Sequence, residues 1–104
     1  MNPSQKHGSD IVAKRRDLND AKVNIEVQMH PSGKEFPQIV KNWCDRHQAT
    51  KATCIVCPAA SRSTMMSRVL RIEPRFSEER SIFFFGDDQI EQLCATVFFI
   101  LSKT

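Results

Sequence analysis

Between Lys22 and His30 the chain alternates without a break. Val23, Ile25, Val27 and Met29 are apolar, and Asn24, Glu26, Gln28 and His30 are polar. A period of two is a strand with one face toward a core and the other toward water. The segment PSGK, residues 31–34, then supplies a turn. From Glu35 to Gln48 the period lengthens. Phe36, Ile39, Val40, Trp43 and His47 recur at helical spacing. Ser32 and Glu35 stand at the capping-box distance and Pro37 fits a first turn, so both mark the same helix start.

Ala52–Cys57 is a short apolar run suited to a strand and stopped by Pro58. Residues 59–66 read as a loop. Ser67–Glu73 alternates again and predicts a third strand, ending before Pro74. Arg80–Phe85 predicts a fourth, with aromatics on both faces and Gly86 closing it. Asp87 or Asp88 would cap a last helix to Ser102. Its predicted stripe is Ile90, Leu93, Cys94, Val97, Phe98 and Leu101. Residues 10–20 offer a short helix with thin apolar content (Ile11, Val12, Ala13, Leu18), and residues 1–9 a polar, disordered tail.

From residue 22 onward the element order is β-α-β-β-β-α. Short connections between strands favour antiparallel pairing. The expected fold class is therefore α+β, a two-layer sandwich of an antiparallel sheet with two helices on one face. A length of 104 residues makes 10–104 a single domain.

No stretch approaches the roughly 20 apolar residues of a membrane-spanning helix, so no membrane partner is expected. The start, MNPSQKHGSD, has no apolar signal region, which predicts a cytoplasmic protein. There the four cysteines would be thiols or metal ligands.

Cys44, His47, Cys54 and Cys57 form the pattern C-x2-H-x6-C-x2-C, four zinc-type ligands in a short span. Against zinc, Cys54 and Cys57 are three apart on a strand and point to opposite faces. Pro58 stands where a metal knuckle wants glycine. Free cysteine also packs as a small hydrophobe. The core reading is preferred, with no cofactor expected and a zinc-binding module kept as a further alternative.

Catalytic equipment is thin. Cys44 and His47 lie one helical turn apart, but Asp45 points to the polar side of the helix, away from His47. No glycine-rich phosphate loop or nucleophile elbow occurs. The chain therefore reads as a non-enzyme.

Two features favour a partner. The strand Ile82–Phe85 and the last helix, widened by Phe99 and Ile100, hold more apolar surface than one sheet face can cover. Burying one such ring is worth about 1.5–3 kcal/mol. Charge is also uneven: residues 41–75 hold seven Lys/Arg against two Asp/Glu. The expected function is a small binding protein that regulates or inhibits a larger protein machine, as a homodimer. Its candidate contact residues are Phe84, Phe99, Ile100, Arg62, Arg68, Arg71 and Arg75. The alternative is a nucleic-acid accessory protein using the basic 41–75 region.

Overall fold

A computed structural model of the chain describes residues 11–15, 18–29, 33–78 and 81–103. Strand β1 (Ile11–Arg15) is followed by β2 (Leu18–Val27) and helix α1 (Phe36–His47). Then come β3 (Ala52–Cys57), a 3-10 turn (Ala59–Ser61) and α2 (Arg62–Ile72). A second 3-10 segment (Pro74–Glu78), β4 (Ile82–Gly86) and α3 (Ile90–Ser102) complete the order. The strands form one sheet in the order β1-β2-β3-β4. The first pair is antiparallel and the other two are parallel.

The general α+β class holds, but the sheet is mixed and has helices on both faces. The physical reason is the crossover. Parallel neighbours need a long connection, and α1 and α2 supply it between β2, β3 and β4. Both steps run the same way across the sheet, so both helices pack on one face. Phe36, Val40, Trp43 and Cys44 of α1 and Met65 and Val69 of α2 meet Ile55, Cys57 and Phe84 there. Phe36 and Trp43 stack edge to face at 6.2 Å. Helix α3 returns over the other face, where Leu93 joins Val23, Ile25, Ala52, Cys54, Val56 and Phe85. The molecule is three layers, not two.

The strands at 22–30, 52–57 and 80–85 and the helix at 35–48 are present, with ends shifted by a few residues. Gly33 sits at φ +110°, which suits the expected turn. Two elements change type. Residues 11–15 and 18–20 are strand, because Ile11 and Ala13 pair with Ile25 and Val23 across an antiparallel ladder. Residues 67–72 belong to a helix that already starts at Arg62, so the expected loop at 59–66 is mostly helical too. The tail at 1–9 and the residue Ser32 lie outside the described residues.

Polarity misplaces four side chains in and just after β2. Asn24 and Glu26 were expected in water and are buried, because α1 covers their face. Val27 and Met29 were expected inside and are exposed. Neither capping aspartate caps α3. Its N-cap is Gln89, whose side chain makes no capping bond to the helix, and Asp87 Oδ1 instead accepts from the Ala59 amide at 3.0 Å. Among the described residues no helix is long and apolar enough to cross a membrane.

Candidate functional site

In an open α/β sheet, ligands bind outside the carboxyl ends of the strands, where successive helices leave to opposite faces. Here that point lies between β3, followed by α2, and β4, followed by α3. The two loops are tied shut. Ala59 is held by Asp87, and Gly86 lies so close that a Cβ there would come within 2.9 Å of Ala59 Cα. Gly86 also exchanges both backbone groups with Gln89: its amide donates to Oε1 and its carbonyl accepts from the Gln89 amide, each at 2.9 Å. The usual small-molecule crevice is filled by the protein itself.

The four candidate zinc ligands do not converge. Cys54 faces α3, while Cys57 and Cys44 sit in the α1–α2 core. Burial pushes the Cys54 thiol up to about 12 and raises Cys57 as well, where nearby Arg62 opposes the shift and Asp87 adds to it. His47 is held by hydroxyls. Nδ1 lies 2.8 Å from Thr53 Oγ1 and Nε2 lies 3.3 Å from Ser81 Oγ, and its ring meets Phe76 edge-on. Hydroxyls donate or accept, so both ring nitrogens are satisfied. Beside it, Arg46 Nε and Nη2 donate to Glu26 Oε2 at 3.2 and 3.0 Å. Among the described residues no group of three metal-type ligands forms. This polar seam fastens α1 to the sheet.

The triple phenylalanine strand is spent on the core. Phe84 faces α1 and α2, and Phe85 faces α3. Phe84, expected at a partner surface, is 7% exposed, because the second helical layer covers it. Helix α3 is different. Leu93, Val97, Ile100 and Leu101 pack on the sheet, so Ile100 is half-buried. The stripe is rotated from the expected one, and Ile90, Cys94 and Phe98 turn outward. Phe98 is 75% exposed and Phe99 61%. By helical phase they flank Ala95, which is also exposed. Sequence reasoning found Phe99 and missed Phe98. The signal was the doublet itself, since adjacent helical residues diverge by about 100° and cannot both sit at the centre of one buried stripe.

The four arginines separate into three settings. Arg62 opens α2 and its Nε donates to the Phe84 carbonyl at 2.8 Å. Arg68 and Arg71 are exposed on α2, one turn apart, and share a shallow surface with Ser63, Thr64 and Ser67. Arg75 leaves the helix and makes a two-pronged pair with Glu73 at 3.0 Å. The bond from Arg75 holds the Glu73 carboxyl below its ordinary value, and the pairing raises Arg75.

A second concave surface lies along the outer edge of β4. It is a cleft of about 470 Å³ between α2 and α3, walled by Met66, Leu70, Phe83 and Thr96, with Arg62 at one end. Comparison with known proteins adds no relative: no family model, no curated protein and no solved structure matches this chain.

Proposed function

We propose that this chain is a small binding domain that docks on a protein partner through the outer face of α3 and thereby regulates or inhibits a larger assembly. The observation that carries this is the exposure of Phe98 and Phe99 on a helix whose only charged residue is Glu91. The wet face of a surface helix ordinarily carries charge. Two adjacent exposed rings beside Ala95 instead make an apolar patch of the kind that marks association. Binding rather than catalysis is supported by the closed crevice at Ala59 and Gly86.

Self-association through the same helix belongs to this reading. The test is a Phe98→Ser, Phe99→Ser double variant. Both rings are exposed, so its unfolding midpoint should stay at the wild-type value. Affinity capture from host lysate should lose its partner, and sedimentation should lose any dimer. A partner and an oligomeric state both unchanged in the double variant would remove the reading.

One observation favours a second reading, a nucleic-acid contact. On a helix, Thr64, Arg68 and Arg71 fall at i, i+4 and i+7, one line along the exposed side of α2. As a strand the same arginines would have been split between faces. Phosphate contacts need such a cationic line. Retention on heparin that falls with salt and is lost in Arg68→Ala, Arg71→Ala would support it. Free passage at low salt would end it.

A further inference from the structure

The parallel ladder fixes which backbone groups of β4 face outward. The Thr53 amide donates to the Ser81 carbonyl, so Ser81, Phe83 and Phe85 turn toward β3. Ile82, Phe84 and Gly86 therefore turn toward the cleft. Gly86 is already paired with Gln89, and the Phe84 carbonyl with Arg62. What remains is the amide and carbonyl of Ile82 and the amide of Phe84, which have no partner among the described residues. Arg62 uses only its Nε here, and its two terminal nitrogens have no partner among the described residues.

We propose that this edge binds the carboxyl-terminal end of a polypeptide, added as a further strand parallel to β4. In a parallel pair, one residue of the added strand donates its amide to the Ile82 carbonyl and accepts from the Phe84 amide. If that residue is the last one, its carboxylate takes the Phe84 amide on one oxygen and an Arg62 terminal nitrogen on the other. Such charge-assisted bonds are the strong kind. A longer strand would next need the Phe84 carbonyl, and Arg62 Nε already occupies it. The edge is therefore blocked to a passing strand and open to one that ends. Met66, Leu70 and Phe83 wall the cleft, so an apolar last residue fits. This is the chemistry of strand addition with carboxylate capture, at a place separate from the α3 surface.

The test is selection of the full chain against a random hexapeptide library with free carboxyl ends. Enriched peptides should end in an apolar residue. Resynthesised, they should bind at least tenfold more weakly as carboxyl-terminal amides and against Arg62→Gln. In the wild type they should shift the Ile82 and Phe84 amide signals in nuclear magnetic resonance, which does not depend on the variant folding. Absence of enrichment, equal binding of the amides, or shifts confined to α3 would each overturn the proposal. Loss of α3 binding in the Phe98, Phe99 double variant would leave it untouched.

Discussion

Arg62 and Phe84 are joined across the open edge of the sheet, the guanidinium Nε donating to the carbonyl at 2.8 Å. An outermost strand of Ile-Phe-Phe-Phe is an aggregation hazard, because its free backbone groups template another strand. Arg62 and Gln89 act as a substitute neighbour and cover the second half of that edge. Arg62→Ala should cost about 1.5 kcal/mol, the low end for a hydrogen bond from a charged group, because the bond is only part-buried. Its clearer effect should be on association. Incubated at concentrations where the wild type stays clear, the variant should aggregate faster, read by light scattering and thioflavin fluorescence. Equal aggregation would show that the cap does not protect this edge.

The pair of Glu26 and Arg46 predicts an asymmetry. Glu26 is 2% exposed and Arg46 19%. Removing the arginine takes the Arg46 charge away from a carboxylate that stays buried, which is the expensive direction. Arg46→Met should therefore cost about 3 kcal/mol in urea unfolding. Glu26→Gln keeps the shape and lets the arginine turn to water, so about 1 kcal/mol is expected. Combined, the two changes should cost less than their sum, because the buried charge is gone. Strict additivity would show that the two groups are not coupled.

These same residues show how far the chain could be read in advance. Val23 and Ile25, the α1 stripe from Phe36 to His47, and the strand 52–57 follow from local period, and local period is what a sequence displays. The burial of Asn24 and Glu26 does not, because the groups that satisfy them lie twenty or more residues away, in Arg46 and Thr50. The segment 67–72 was misread because Val-Leu-Arg-Ile fits either period over four residues. The deciding pair is Met65 and Val69, both fully buried and four apart, which spans the boundary between the expected loop at 59–66 and the expected strand at 67–73. The apolar excess of α3 was legible from its missing charges. Which ring faced outward depended on how the helix rolls on the sheet, and that is set by Leu93 and Val97 against the strands.

Gly86 closes the β3–β4 crevice by having no side chain. An alanine Cβ there would come within 2.7 Å of Asp88 Oδ1 and 2.9 Å of Ala59 Cα. The aspartate can swing aside, but the backbone of the Ala59 turn cannot without losing its bond from Ala59 N to Asp87. Gly86→Ala should destabilise by about 1–3 kcal/mol, the range for overpacking. The amides of Ala59 and Gln89 should exchange faster with deuterium than in the wild type. A variant of wild-type stability and exchange would mean the two loops part freely.

The cysteines predict a loss of stability in alkali. Cys54 is fully buried, and its thiol is pushed up to about 12 from an ordinary 9.0. Burial disfavours the thiolate, so the folded chain keeps a proton that the unfolded chain releases. The sign follows. Below pH 9 neither state ionises at Cys54 and its contribution is constant. Between about pH 9 and 12 the unfolded state gains by ionising, and stability should fall by about 1.4 kcal/mol per pH unit for this one group. Cys57 is shifted the same way and steepens the slope. Cys54→Ala should flatten the alkaline limb without abolishing it, measured as urea midpoints at pH 8, 9, 10 and 11. At pH 8 a thiol reagent should label Cys94, which is exposed, and reach Cys44, Cys54 and Cys57 only on unfolding. A flat alkaline limb in the wild type, or labelling of all four cysteines in the folded chain, would place these thiols in water rather than between the sheet and its helices.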